Sequence, residues 1–259
     1  MRLKTPKGKT ALGKKVIFLI AGILILDQIV KVIVKTQFAP HEQMGVVDGF
    51  FQIYYIENRG MAFGTTLGSG ALAKYALSIF RLLAIVGIGY YIKKLLSEKG
   101  VSWGMIMSVG LIFAGAAGNL IDGMFYDYIW DLDPDIAWNW ALDGNNDWVI
   151  GADGNPEPRP NGFLLGSVVD MFQFTVKWPS WMPFGLGGEE IFAAIWNVAD
   201  AAITAGVALI IINYKKFFKK PSPADELAVQ TAQENKMMYG ESVPPEIEDS
   251  NSTNDQEEE

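Results

Sequence analysis

The chain has no cysteine. That one absence removes disulfides, thiolate nucleophiles and thiolate metal sites together. Histidine is nearly absent as well, the single example being His41, beside Pro40. A zinc centre or a Ser-His triad would have to be built around that isolated imidazole, so His41 reads as a loop residue and no metal or cofactor is expected. No basic patch interleaved with aromatics occurs, which leaves nucleic acid out of the expected partners. Charge is scarce beside apolar content: 19% of the 259 residues are charged and 50% hydrophobic, with a net charge of −8. That mixture suits a membrane protein with polar ends better than a soluble globule.

Long apolar runs, by contrast, are present four times, over residues 16–34, 71–92, 101–121 and 191–212. Each approaches the length of about 20 helical residues that crosses a hydrocarbon core about 30 Å thick. The first follows basic residues as a secretory signal does, but it lacks a small-x-small cleavage site and carries Asp27 and Lys31. It reads as a retained helix. The expected fold is therefore an all-α membrane protein of four transmembrane helices with a small outward-facing β-rich loop region.

Orientation follows from the cations. Residues 1–15 hold six basic residues and no acidic one, the 93–99 connection holds three lysines, and Lys215, Lys216, Lys219 and Lys220 follow the fourth run. The stretch 123–190 has only Arg159 and Lys177 against eleven carboxylates. The positive-inside rule then places both termini in the cytoplasm and turns loops 35–70 and 123–190 outward. Residues 1–15 form a basic N-terminus, 16–214 the membrane domain, and 215–259 a basic then acidic tail. From Pro221 onward that tail carries too little apolar sequence to bury, so disorder is expected.

Outside the spans, Phe50-Phe51-Gln52-Ile53-Tyr54-Tyr55-Ile56 is β-prone and aromatic, predicting an outer strand. The long outer loop holds Trp130, Trp138, Trp140, Trp148, Trp178 and Trp181, which would either meet lipid headgroups or form a small aromatic core. Its Asp131-x-Asp133-x-Asp135 and Asp143-x-Asn145-x-Asp147 runs lack the glycine at position six and the glutamate at twelve of a calcium loop. A solvated acidic loop is expected there.

Ionisable groups within spans are costly and mark functional candidates. Asp27 and Lys31, four apart, share a helix face and can neutralise each other. Asp27 lies seven residues from the expected outer end of its helix, about 10 Å deep at 1.5 Å per residue. Asp200 lies nine residues past Ile191, about 14 Å deep by the same rise, with no cation within a helical turn. Asn119 and Asp122 end the third run, behind the small residues Gly115, Ala116, Ala117 and Gly118, which permit close helix packing. Arg81 sits near the middle of the second run. Together with Asn58, Asp170 and Asn197, the acidic and amide groups collect at the outer side of the membrane, as one outward-facing site would require.

Five short elements on these spans carry a resemblance. Asp27-Gln28-Ile29-Val30-Lys31, Asn58-Arg59-Gly60-Met61-Ala62-Phe63, Gly115-Ala116-Ala117-Gly118-Asn119-Leu120-Ile121-Asp122, Val168-Val169-Asp170-Met171 and Asn197-Val198-Ala199-Asp200-Ala201-Ala202-Ile203 stand in that order. They are similar to the DxxxK, NxGxAF, GAxGNxxD, VVD and NxADxxI elements of lipoprotein signal peptidases, over roughly residues 15–215. The resemblance implies an aspartyl endopeptidase of the bacterial inner membrane, with Asp170 and Asp200 as the catalytic pair. Asn58, Asn119 and Asn197 would bind substrate backbone or orient the pair, and Asp27, Lys31 and Asp122 would shape the site. The implied partners are a diacylglyceryl-modified prolipoprotein, cut before its lipidated cysteine, and membrane lipid; a monomer is expected. Two positions depart from the pattern. Gly123 stands where many members have arginine, which predicts a poorly paired Asp122 unless Arg59 or Arg81 substitutes. Trp196 stands where phenylalanine is usual. A transporter using Asp27, Asp200 and Arg81 as a relay is the rival reading, but it would need ionisable groups through both halves of the bilayer.

Overall fold

The computed structural model describes residues 7–59, 71–98, 100–133, 135–143 and 147–218, with short helical pieces between 230 and 238. Gly60–Phe63 of the second motif, and the stretch 239–259 of the tail expected to be disordered, lie outside the described residues. One compact unit runs to Phe217 and holds all the motif residues described below.

Among the described residues, three helices are long and apolar enough to cross a membrane: α1 (Lys7–Gln37), α2 (Ala71–Ser97) and α3 (Trp103–Ile129). Each is longer than its apolar run. Ser102 caps α3, its side chain accepting the Met105 N–H at 3.3 Å. Asp122, expected at the end of α3, instead has two further turns beyond it, and α1 carries on to Gln37, so Asp27 lies about 15 Å from that end at 1.5 Å per residue.

The fourth span is corrected. Only Val198–Ile212 is helical (α4), 15 residues, followed by the single turn α5 (Tyr214–Phe217). Two local causes stop the helix from reaching back to residue 191. Asn197 caps it, accepting the Asp200 N–H at 2.9 Å, while the Asp200 carboxylate accepts the Asn197 N–H at 3.3 Å. This reciprocal capping box fixes the first turn. Upstream, Ile195–Trp196 is a short strand (β4) bonded to β3 (Val168–Phe174). Asp200 is consequently in the first turn of α4, about 3 Å along the axis from Val198, and not nine residues into a helix.

α3 is the centre against which α1, α2 and α4 pack. Its small residues have the expected use. A Cβ on Gly115 would overlap the Ala199 carbonyl of α4, and one on Gly118 would lie 2.6 Å from the Asp27 carboxylate. Any larger residue at either place would push α4 or α1 off α3. One apolar cluster closes the far end of the bundle (Val16, Ile92, Leu95, Met105, Ile106, Val109) and another joins bundle to sheet (Val34, Tyr55, Tyr126, Val169, Met171). Ile17, Phe18, Ile25, Phe80, Leu83 and Tyr90 stay exposed on α1 and α2, as apolar side chains facing lipid would.

The strand expected at Phe50–Ile56 is real and belongs to a larger antiparallel sheet, ordered β1 (Gln43–Val47), β2 (Phe51–Asn58), β3, β4. Its register sets Ile56 opposite Asp170 and Asn58 opposite Val168. Phe51, Phe172, Phe174 and Trp196 form cross-strand ring contacts between 5.0 and 6.4 Å that hold this register. His41 lies in the turn before β1, packed on Trp138. The acidic loop keeps Asp131, Asp133, Asp135, Asp147 and Asp153 exposed, as a solvated loop would, while its backbone pairs with itself. Bridges Trp140–Pro158, Leu142–Trp148 and Ile150–Pro156 fold it back on itself. Arg59 donates to the Trp138 and Trp140 carbonyls, and Arg159 grips Asp127 with two bonds of 2.8 and 2.9 Å.

Candidate active site

Five elements converge where the sheet meets the bundle. β3 delivers Asp170, α4 delivers Asp200 and its cap Asn197, α3 delivers Asn119 and Asp122, and α1 delivers Asp27, Gln28 and Lys31. β2 contributes Asn58. Asp170 is 2% exposed whereas Asp200 is only partly buried, so the two carboxyls differ in access to solvent.

Amides hold both carboxyls. Asn197 donates to Oδ1 of Asp170 at 2.6 Å and Asn58 to Oδ2 at 3.1 Å. Asn119 donates to Oδ1 of Asp200 at 2.9 Å. The Asn197 amide also reaches Oδ1 of Asn119 at 3.1 Å, which joins the two halves. Burial, with Asp200 as a second cause, pushes the Asp170 carboxyl up to about 7, against the bonds from Asn58 and Asn197 that favour its ionised form. At neutral pH it can therefore carry a proton. Arg81, from α2, is close enough to interact electrostatically with Asp200, Asp122 and Asp170.

Beneath this pair lies a buried charged cluster. Lys31 is 2.9 Å from Asp27, 2.7 Å from Asp122 and donates to Asn119 at 2.9 Å, so all three ammonium protons are used. The expected weak pairing of Asp122 next to Gly123 is overturned: Lys31 pairs it, and Gln28 donates to its other oxygen at 3.0 Å. Arg59 is occupied elsewhere, by the Trp138 and Trp140 carbonyls. Asp27 does more than neutralise Lys31. Its Oδ1 accepts the Ala199 N–H at 2.9 Å, satisfying one of the orphan donors in the first turn of α4.

All eight residues singled out from the sequence thus fall in one connected network. Gln28 is a member to which the sequence assigns no role, whereas Arg81 is already offered there as a cation for Asp122. Gln28 had a signal, since it stands within the Asp27–Lys31 element. Its bonds to Asp122 and Tyr126 nevertheless depend on how α1 meets α3, which no spacing encodes.

Comparisons with known proteins identify the family. A family model described as Signal peptidase (SPase) II matches residues 19–216. The lipoprotein signal peptidase of Porphyromonas gingivalis is 36% identical over 209 residues, covering 79% of this chain and 84% of that protein. The one from Amoebophilus asiaticus is 29% identical over 233 residues, 88% of this chain and 89% of that protein. A solved bacterial membrane enzyme, 23% identical, aligns over 78% of this chain and 92% of its own with a TM-score of 0.48. The chain belongs to the signal peptidase II family.

Proposed function

We propose that this protein is an aspartyl endopeptidase that removes signal peptides from diacylglyceryl-modified prolipoproteins, cutting on the amino side of the lipidated cysteine. The observation that carries the reading is the amide bridge of Asn197 and Asn119, which puts Asp170 and Asp200 in one hydrogen-bonded unit. Family membership supplies the substrate class.

Two carboxyls in a dry site share one proton, because ionising both is costly. Asp170, more deeply buried and raised to about 7, is the proton holder. Asp200, on the more open side, is the base. Asp200 takes a proton from water as the water oxygen bonds to the scissile carbonyl carbon, and Asp170 gives its proton to the carbonyl oxygen. The resulting tetrahedral diol collapses as the C–N bond breaks. The amine nitrogen leaves with the proton that Asp200 had taken, and a diol hydroxyl returns its proton to Asp170. Asn58, Asn119 and Asn197 hold the carboxyls at fixed angles, while Lys31, Asp27 and Asp122 fix the helices that present them. One copy carries every one of these groups, so a monomer suffices.

The same reading places the protein in the bacterial inner membrane, with both termini cytoplasmic and the dyad toward the outer face, on the strength of the lysine and arginine asymmetry. A transmembrane relay is a poorer fit. Asp27, Lys31, Asp122 and Asp170, all buried, are joined in one cluster through Lys31, Asn119 and Asn197 and do not form a row along the helices.

The test is cleavage of a lipidated precursor by purified protein. Asp170→Asn and Asp200→Asn should each abolish cleavage while leaving folded protein, and the double variant should be no worse than either, since the pair acts as a unit. Near wild-type cleavage by either single variant would sink the mechanism.

A further inference from the structure

We propose that the tip between Lys177 and Glu190 is a lipid anchor, with Trp181 and Phe184 inserted into the membrane interface, seating the sheet that carries Asp170 against the bilayer. The proposal rests on the chain being membrane-embedded and not on the peptidase chemistry.

The tip has the composition of an interfacial segment. Its eleven residues 178–188 include no charged side chain and hold Trp178, Trp181, Met182, Phe184 and Leu186. Trp181 is 78% exposed and Phe184 94% exposed. In the adjacent sheet, by contrast, Trp196 packs among Phe51, Phe172 and Phe174. The fold thus packs aromatic rings where it uses them internally, and it leaves these two pointing outward.

Nor is the tip loosely held. Lys177 bridges Glu190, Trp178 donates its N–H to the Glu189 carbonyl at 2.8 Å, Ile191 to that of Val176 at 2.8 Å, and Met182 to that of Pro179 at 2.9 Å. Phe184 has φ of 65°, a left-handed conformation disfavoured for any residue with a Cβ. With its ring almost wholly exposed, packing within the chain does not compensate that conformation. Internal backbone bonding is what a segment entering a water-poor region requires.

The length of α4 says where the tip sits. Fifteen residues rise about 22 Å, some 8 Å short of a hydrocarbon core of about 30 Å. Just past its far end come Lys215 and Lys216, cations that belong at a membrane surface. The shortfall therefore falls before Asn197, where Ile191 and Phe192, about half exposed, lead up to the tip. Tryptophan and phenylalanine at this level match the aromatic belt of the membrane–water interface.

The absence of native cysteine permits a direct test. Phe184→Cys and Trp181→Cys, each labelled with bimane, are placed in phosphatidylethanolamine–phosphatidylglycerol nanodiscs holding one copy, with Ala152→Cys in the outer loop as an exposed reference. Bimane at 184 and 181 should emit at shorter wavelength than at 152. It should also lose roughly half or more of its emission to a shallow doxyl-lipid quencher and resist iodide, as interfacial groups do. If 184 alone fails to yield folded protein, 181 decides. Water-like emission quenched by iodide would overturn the anchor. So would a blue shift seen only in discs holding two copies, which would make the tip a contact between copies.

Discussion

Asn197 donates its side-chain amide to Asp170 across 2.6 Å while its side-chain oxygen caps α4 by accepting the Asp200 N–H at 2.9 Å. One residue thereby ties the helix that carries one carboxyl to the strand that carries the other. Its backbone N–H returns a bond to Asp200, so that carboxyl is also part of its own helix cap. Stability and chemistry meet at this residue and can be separated by substitution.

Asn197→Ala should lose both functions, costing about 0.5–2 kcal/mol for the cap. It should also lower kcat about 10²-fold by letting the dyad drift from its working geometry. Asn197→Ser keeps a capping oxygen and should recover most of the melting temperature in detergent without recovering kcat. Equal recovery of both by serine would show that the amide does no more than cap.

The proton on Asp170 sets a pH dependence. Cleavage should decline as pH rises through about 7, because Asp170 then loses the proton that the proposed mechanism has it donate. The stability effect has the same direction. The folded state holds this proton more tightly than the unfolded chain, so the contribution is full below the ordinary value of 3.8 and lost as pH rises through about 7. Rate profiles of kcat/KM between pH 5 and 9 check the point, and a flat profile to pH 9 would remove Asp170 from the acid role.

Lys31 should matter more than either carboxylate that holds it. The sequence suggests that Asp27→Asn would free Lys31, but Asp122 also binds it at 2.7 Å, and an asparagine oxygen can still accept the Ala199 N–H. Asp27→Asn should therefore cost only about 1 kcal/mol and leave measurable activity. Lys31→Met leaves Asp27 and Asp122 buried without their cation and should cost about 3–5 kcal/mol. It should also reduce activity, because Lys31 positions Asn119 under Asp200. Melting curves of the two variants in one detergent would expose a reversed order.

Topology is checked independently of the chemistry. Tags at either terminus should be reachable only from the cytoplasmic side, and Asn145→Cys, unique in this cysteine-free chain, should be labelled by an impermeant maleimide from outside. A terminus labelled from outside would overturn the orientation.

What the sequence determined by itself was the family and the order of its motif residues along the chain. Apolar runs long enough to span lipid stand out because a bilayer tolerates few charges, and each charge inside them, Asp27 and Lys31 above all, is visible as an exception. Small residues at 115–118 announced close packing for the same kind of local reason. Tertiary structure decided which partner each polar group received. Lys31 could be matched to Asp27 by helical spacing, yet its bonds to Asp122 and Asn119 exist only because α1 lies against α3. The start of α4 was likewise decided by contact. Residues 191–196 are apolar enough to continue a helix, but Ile195 and Trp196 find strand partners in Gln173 and Phe172, and Asn197 then caps what remains. Hydropathy is a property of single residues, whereas strand pairing and capping compete for the same backbone groups, and only the folded chain settles that competition.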